Sequence, residues 1–319
     1  MNEYRGKHAP SHPWPVASST SVPSRRGRHQ KKNRRRRVGF FILLALILVM
    51  VSYPFIEPKI YTVNSFEIKS EQLQTEGNSR PLRIVYVSDI HWGHWMSDWD
   101  LNRLVNQINS LYPDIVIFGG DYATDFDSAV RFFSALQQYK LRPRLKAFGV
   151  VGETDYIGND VDMNRLKDAM SNAKVQLLIN ETAALYTDIG IVCLAGADDM
   201  ISGSPNMKKL SASVDVSAAN YVILVAHNPA LIPTAQLQKD ASNSYEWFDL
   251  GLFGHTHGGQ VPLLSGWLDF FEDVPDRYHE GWLYENRSWL LISRGIGTSV
   301  IPCRLFCYPQ IHCIDIIPE

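Results

Sequence analysis

Hydrophobic and polar positions divide the chain into regions of different character. Residues 38–56, VGFFILLALILVMVSYPFI, contain no charged residue, and a helix of that length can cross the ~30 Å hydrocarbon layer of a membrane. Beyond them, short apolar runs such as LRIVYV (82–87) alternate with segments of helical periodicity such as SDWDLNRLVNQINSLYPD (97–114). The runs are typical of buried strands, and the second segment places its apolar residues on one helical face behind a Ser97 or Asp98 cap. This alternation predicts one α/β sandwich over residues 57–319.

The charge distribution is strongly asymmetric. Residues 1–37 carry a formal charge of +10 in a chain of net charge -2, so the rest of the chain carries -12. A tail rich in Ser, Pro, His and Arg buries too little apolar surface to fold, and it is predicted to be disordered. Its last residues, QKKNRRRR, could bind nucleic acid, but basic residues beside an apolar span act as a topology signal and stay cytoplasmic. We therefore expect no nucleic acid partner, a cytoplasmic N-terminus and a single-pass cell-membrane protein whose residues 57–319 are extracytoplasmic.

The apolar segment could be a retained anchor or a removed signal peptide. No small-x-small cleavage site follows it, which favours a signal-anchor helix over residues 38–56. The stretch RRVGFF also resembles a twin-arginine export signal, although the apolar run is too hydrophobic for that route.

Polar residues cluster where the predicted strands end. Open α/β sheets bind ligands at the carboxyl ends of their strands, and residues two apart there can point to one side. A single such residue is more often a cap than a ligand, but a series at successive strand ends indicates a site. Imidazoles mixed with carboxylates suit Mn, Fe, Zn or Co, and a shared Asp would fit a site for two divalent ions. The candidate metal ligands are Asp89, His91, Asp121, Glu153, His227, His255 and His257.

The motifs DIH, GGD, AHNP and GHTHGG, in this order and spacing, resemble the calcineurin-like metallophosphoesterases. LAGADD, GHTHGGQV and SRGIGTSVIPCRLF extend the resemblance to the membrane-anchored bacterial branch similar to YkuE and YaeI. The resemblance implies a four-layer αββα sandwich with a di-metal centre. It also implies that one metal is bound by Asp89, His91, Asp121 and His257, and the other by Asp121, His227 and His255, with Asp121 bridging.

One motif departs from the family pattern. Where the family has GNH followed by an acid, this chain has Gly152-Glu153-Thr154 and then Asp155. Glu153 can replace the Asn ligand, because a carboxylate is also a hard ligand, but its charge should weaken phosphate binding and raise the pKa of a bridging water. Thr154 stands at the general-acid position, and a hydroxyl is not an effective acid near neutral pH, where general-acid assistance contributes ~10²–10⁴ in rate. Thr124 stands where the family has an Asp that supports the acid.

Two function classes therefore remain. The first is a metal-dependent phosphoric ester hydrolase that cleaves a phosphodiester or pyrophosphate whose leaving group needs little protonation. The second is a metal-binding relative with weak or no catalysis that acts as a ligand-binding protein. His94 is a candidate substitute acid, against the alternative of an exposed loop histidine. Arg294 can bind a substrate phosphate or make structural hydrogen bonds.

Aromatic residues and cysteines add weaker signals. Core packing explains most aromatics, but Trp and Phe favour the bilayer interface, so an aromatic rim on a membrane-held protein fits a lipid-linked substrate. Similar proteins in the branch include enzymes that act on lipid-linked phosphoesters, and a cell-wall polymer is the other candidate substrate. The cysteines lack zinc-site spacing and are predicted to be buried thiols, with a disulfide as the alternative. The residues concerned are Trp92, Trp95, Trp99, Trp267, Phe270, Phe271, Cys193, Cys303, Cys307 and Cys313.

Overall fold

The computed structural model describes residues 25–73, 80–93, 95–214, 221–240, 244–261, 274–299 and 301–319, with side chains from residue 34 onward. His94, Trp267, Phe270 and Phe271 lie outside the described residues. The chain divides into two compact units, Met1–Val51 and Ser52–Glu319. Within the second unit lie the sandwich and all the candidate ligands.

The N-terminal apolar segment is helical. Helix α1 spans Arg25–Ile56 and is followed by one 3-10 turn, Glu57–Lys59; the helical stretch Arg34–Lys59 is long and apolar enough to cross a membrane. The helix includes part of the basic segment for which disorder was predicted, since Lys, Arg and Gln are good helix formers that extend a helix once it is nucleated. The remainder of that segment, residues 1–24, lies outside the described residues.

The sandwich contains two six-stranded mixed sheets. The first has the order β1-β12-β2-β3-β4-β5, in which β2 to β5 are parallel, β12 is antiparallel to β2, and β1 is parallel to β12. Its strands are β1 (Thr62–Ser70), β2 (Leu82–Val87), β3 (Ile115–Phe118), β4 (Lys146–Gly149), β5 (Val175–Leu177) and β12 (Gln310–Pro318).

The second sheet has the order β10-β11-β9-β8-β7-β6. Its four central strands are parallel, and an antiparallel strand lies at each edge. Its strands are β6 (Glu181–Thr187), β7 (Gly190–Gly196), β8 (Tyr221–Val225), β9 (Leu250–Phe253), β10 (Gly281–Glu285) and β11 (Ser288–Ile292).

Three apolar cores separate four layers. Alternate residues of a strand face opposite sides, so Ile84 and Tyr86 pack between the sheets while Val85 and Val87 pack against helices. Helices α2 (Asp98–Ser110), α3 (Phe126–Tyr139) and α4 (Met163–Asn172) cover the first sheet, and α5 (Met207–Ser213) and α6 (Ile232–Gln236) cover the second. The predicted four-layer αββα sandwich is confirmed.

Helix α2 shows how sequence sets one of these layers. Ser97 is the cap, and its side chain and that of Asp100 form a reciprocal capping box. Four apolar residues of the helix, spaced three and four apart, are buried against the first sheet, as the periodicity predicts.

The two sheets bring their strand ends to one region of the sandwich. Asp89 and Asp121 follow the parallel strands β2 and β3, whereas His227 and His255 follow the parallel strands β8 and β9. A hydrogen bond joins the end of β9 to the end of β2: the backbone N–H of His255 donates to Asp89 Oδ1 over 2.9 Å. Side chains from both sheets can therefore share one site.

Close approach of the β3 and β4 ends requires a glycine. A Cβ atom at Gly152 would lie 2.3 Å from Asp121 Oδ1 and 2.7 Å from the Asp121 backbone nitrogen. Gly152 has φ -113° and ψ -176°, a conformation that any residue adopts. The constraint at this position is therefore space alone.

We predict that Gly152→Ala lowers the free energy of unfolding by about 1–3 kcal/mol, the usual cost of overpacking. Gly158→Ala is a matched control in the same loop, since its Cβ would lie 3.5 Å from Phe126 Cβ, an ordinary contact. Chemical denaturation of the full-length protein in detergent measures both variants. Equal stability of the two variants would contradict the packing argument.

Candidate metal centre

Six of the candidate ligands are buried together at the strand ends. None of their side chains is more than 6% exposed, whereas Glu153 is half-buried. Buried carboxylates and imidazoles need a charge or hydrogen-bond partner, because leaving water is costly for them. The six residues are Asp89, His91, Asp121, His227, His255 and His257.

The first group of potential ligand atoms comes from Asp89, His91 and His257, within 4.8 Å of one another. His91 Nε2 lies 3.1 Å from His257 Nε2, and His257 Nε2 lies 3.6 Å from Asp89 Oδ1. These three residues belong to the set that the sequence assigned to one metal.

The second group comes from Asp89, Asp121 and His227. His227 Nε2 lies 3.5 Å from Asp121 Oδ2 and 3.8 Å from Asp89 Oδ1. Asp121 Oδ2 also lies 3.5 Å from His91 Nε2. One carboxylate oxygen of Asp121 therefore faces a histidine of each group.

The grouping differs in part from the assignment made from sequence. Asp89 contributes to both groups rather than to one, and neither of these two groups of described residues contains His255 or Glu153. The His255 ring lies beside that of His227, with centroids 5.4 Å apart. The ligand roles of His255 and Glu153 stay predictions.

Two buried polar atoms of the site have the state expected of atoms that bind a cation. Within the described part of the chain, His227 Nε2 and Asp89 Oδ2 are buried without a hydrogen-bond partner, and a buried polar atom left in that state is costly. His227 Nδ1 lies 2.7 Å from the Gly119 carbonyl oxygen, which can only accept a hydrogen bond. Nδ1 therefore carries a proton, and Nε2 is the ring atom that is directed at the carboxylates and could bind a metal ion.

Most of these same residues have a strained backbone conformation. Positive φ angles of 46° to 70° occur at five of the six buried candidates, in the left-handed region that non-glycine residues rarely adopt. Strain of this kind persists where the surroundings enforce it and is common at functional sites. The five residues are Asp89, His91, Asp121, His255 and His257.

The loop after β4 holds Asp121 in place. The Asp155 carboxylate is fully buried and accepts the backbone N–H groups of Asp121, Tyr122 and Gly152 over 2.9 to 3.1 Å. Thr154 donates its backbone N–H to Asp121 Oδ1 (2.9 Å) and its hydroxyl to the Ala123 carbonyl (2.8 Å). The loop is therefore a clamp on the end of β3, and the Thr154 hydroxyl is directed into that clamp.

Burial raises the pKa of both acids in this loop. The pKa of Glu153 rises to about 7, and the negative charge of Asp121 adds to the effect of burial. For Asp155 the same two causes raise the pKa to about 8, against the opposing effect of its backbone donors. A bound divalent cation would lower both pKa values, because it favours the charged form of nearby carboxylates.

Two histidines of the site have pKa values shifted in opposite directions. Burial lowers the pKa of His227, but the Asp121 carboxylate outweighs that effect and raises it well above the ordinary value. The pKa of His257 is lowered well below the ordinary value by burial and by its neighbours His91 and Arg304. His257 is therefore neutral, the form that binds metal ions.

Several other residues take structural roles. The Arg294 guanidinium binds Glu280 through Nε and Nη2 at 2.6 and 3.0 Å, which agrees with the structural alternative; phosphate binding by Arg294 stays a prediction.

All four cysteines, each within the described residues, are free thiols, and all except the half-buried Cys303 are buried. His94, the suggested substitute acid, lies outside the described residues.

Sequence reasoning assigned no role to Asp155 or Arg304. Arg304 is fully buried, and its Nη2 lies 3.3 Å from His257 Nδ1. The available signal was an isolated arginine in the apolar stretch IPCRLFC, because a buried Arg needs partners. For Asp155 the signal was its place beside the predicted ligand Glu153.

Comparison with known proteins gives relatives that are 27% to 30% identical to this chain. YpbG of Bacillus subtilis is 29% identical, over 74% of this chain and 81% of the relative. Phosphodiesterase YaeI of Escherichia coli is 27% identical, over 75% and 84%. The transmembrane protein with metallophosphoesterase domain of Danio rerio is 30% identical, over 70% of this chain but only 51% of the relative.

A solved structure, the NAD nucleotidase of Haemophilus influenzae, aligns with a TM-score of 0.44 and 11% identity, over 67% of this chain and 45% of that one. A likeness at that level says nothing about activity. The family model for calcineurin-like phosphoesterases matches residues 82–259, the segment from β2 to the GHTHGG motif. The chain therefore belongs to the calcineurin-like phosphoesterase family.

Proposed function

We propose that this protein is a membrane-anchored hydrolase that uses two divalent ions to cleave a phosphodiester or pyrophosphate bond. The observation that supports it most directly is Asp121 Oδ2, which lies 3.5 Å from both His91 Nε2 and His227 Nε2. A carboxylate oxygen so placed can be shared between two ions. Such ions polarise the phosphoryl oxygen and lower the pKa of a bound water.

The proposed ligand set combines the two groups with the assignment that the family resemblance implies. One ion would be held by Asp89, His91 and His257, and the other by His227 with His255 and Glu153, while Asp121 serves both. Mixed imidazole and carboxylate ligands favour Mn, Fe, Zn or Co. Asp155 and the Gly119 carbonyl would hold Asp121 and His227 in place before substrate binds, which is the arrangement that preorganised sites require.

The Thr154 hydroxyl limits the choice of substrate. It donates to the Ala123 carbonyl, and the neighbouring Thr124 hydroxyl donates to Asp125. Neither hydroxyl has the acidity to protonate a leaving group near neutral pH. The preferred substrates would therefore have leaving groups that depart without a proton, such as a nucleotide phosphate.

The same observation supports a second candidate function. If no other group supplies a proton and Glu153 repels anionic substrates, the site would bind metal and ligand with weak or no turnover. Glu153 is half-buried and its charge lies close to that of Asp121. The protein would then act as a metal-dependent ligand-binding protein.

Exposed aromatic and basic residues support a location at a membrane surface. Trp95 and Trp99 are 52% and 65% exposed. The Lys59 ammonium donates to the Trp95 carbonyl, and the Arg103 guanidinium lies 5.0 Å from the Trp99 ring. Tryptophan beside basic residues favours the bilayer interface, and Lys59 follows the apolar helix by three positions. A lipid-linked or cell-envelope phosphoester would suit an enzyme placed there.

We predict that the full-length protein, purified in detergent, retains about two transition-metal ions per chain, as a two-metal site requires. Elemental analysis after mild dialysis measures the content. Asp121→Ala should retain fewer ions, because both would lose a shared ligand. A folded wild-type protein without metal would contradict the ligand assignment.

We predict that the C-terminus is extracytoplasmic, because the basic run before the apolar helix should stay in the cytoplasm. Alkaline phosphatase fused after Glu319 should be active, and green fluorescent protein fused at the same position should be dark. The opposite pair of signals would place the site in the cytoplasm.

We predict that the wild type hydrolyses bis(p-nitrophenyl) phosphate with Mn²⁺ far faster than alkyl diesters, whose leaving groups need a proton. Changing Glu153→Asn together with Thr154→His should raise the alkyl-diester rate, by at most the ~10²–10⁴ of general-acid assistance. Kinetics on both substrates measure the gap, and Asp121→Ala is the inactive control.

Two outcomes separate the candidate functions. An inactive wild type that the double change activates would favour the ligand-binding protein. Rapid cleavage of alkyl diesters by the wild type, reduced by the double change, would show that another group supplies the proton, with His94 the first to test.

A further inference from the structure

The end of the apolar helix binds one loop of the sandwich. This loop, residues 304–308, precedes β12 and is here called the 304–308 loop. The backbone N–H of Arg304 donates to the Pro54 carbonyl over 2.9 Å, and the hydroxyls of Tyr53 and Tyr308 lie 2.6 Å apart. The chain that leaves the helix is therefore fixed to the sandwich within a few residues.

Glu57 is the central group of this attachment. It is fully buried, and its two carboxylate oxygens accept the backbone N–H groups of Phe306 (3.0 Å) and Cys307 (2.5 Å). Hydrogen bonds from N–H groups to a buried carboxylate are among the stronger ones in proteins. A carboxylate is costly to bury unless such bonds compensate it. The two bonds therefore hold the backbone of the 304–308 loop in one conformation, in which Phe306 has φ +58°.

The 304–308 loop in turn contacts the segment that carries His257. Cys307 Sγ lies 3.2 Å from the His257 carbonyl oxygen, to which it donates, and the Leu305 N–H donates to the Gln260 carbonyl over 2.9 Å. These contacts hold the backbone of His257, a residue in the left-handed conformation.

Arg304 fixes the ring of His257 from behind. Its Nη2 donates to the carbonyls of Gly297 (2.6 Å) and Arg294 (2.7 Å), which use both Nη2 hydrogens. The same atom lies 3.3 Å from His257 Nδ1. The guanidinium is thus held in place beside the Nδ1 edge of the ring, and its position keeps Nε2 directed toward Asp89 and His91.

We infer that Glu57 is a positioning residue for the metal centre, acting on His257 through the 304–308 loop. This inference rests on the proposed function, because it takes His257 as a metal ligand. The segment after the apolar helix then helps to position the metal ligands, in addition to connecting the helix to the sandwich. Release of the helix end from the sandwich would loosen one ligand of one ion.

The test is Mn²⁺ binding by the full-length protein in detergent, measured by calorimetry for wild type, Glu57→Gln and the exposed control Glu67→Gln. A Gln side chain presents an NH₂ group to one of the two N–H donors, so the loop should lose a hydrogen bond. We expect Glu57→Gln to weaken Mn²⁺ binding by the group that contains His257 roughly tenfold. This is the lower end of the loss in metal affinity that changes of outer-shell residues cause. Glu67→Gln should bind as wild type does.

Cys307→Ala provides a second, milder change in the same path, in case Glu57→Gln does not fold. It should also weaken Mn²⁺ binding, because the contact with the His257 carbonyl is lost. Thermal unfolding without metal identifies a purely structural effect: a lower unfolding temperature with unchanged Mn²⁺ affinity in both variants overturns the inference. Failure of the wild type to bind Mn²⁺ would instead overturn the proposed function on which the inference rests.

Discussion

The Asp121 carboxylate is the group on which the arrangement of the site depends. Its Oδ1 accepts the Thr154 N–H, while its Oδ2 faces His91 and His227 at equal distances. A buried carboxylate is stable only when its surroundings compensate for lost hydration. Both sheets contribute to that compensation: the first through the ends of β3 and β4, and the second through the end of β8. Compensation of this carboxylate therefore requires the strand ends of both sheets to lie together.

Much of this architecture could be predicted from hydrophobic patterning. The strands β2, β3, β4, β7, β8 and β9 are short apolar runs followed by polar or glycine residues, and the structure places them as central strands. Strand β1 was not predicted. Most of its residues are exposed or half-buried, so it has no apolar signal, and it is held instead by its pairing with β12 at the other end of the domain. An edge strand of this kind is specified by its partner rather than by its own sequence.

Residues of the candidate site divide in the same way. Ligand candidates could be found because they follow strands, and the resemblance to a family ordered them. The roles of Glu57, Asp155 and Arg304 were not assigned from sequence, because these roles depend on contacts remote in sequence; Glu57 and Cys307 are 250 positions apart. Their charges were visible, but charge alone does not distinguish a surface residue from a buried one. The hydrogen-bond partners in the folded structure show which of these charged residues are buried.

The GETD loop separates two tasks that the family motif combines. Gly152 and Asp155 hold the end of β3, one by lacking a side chain and the other by accepting three backbone N–H groups. Glu153 and Thr154 occupy the positions at which the family places a ligand and an acid. The residues that determine geometry are thus compatible with a complete metal centre, whereas the resemblance implies that the residues for proton transfer are changed. Since Thr154 binds Asp121 through its backbone N–H, its side chain can vary without loss of that contact. The loop can therefore keep Asp121 in place whichever chemistry the site supports.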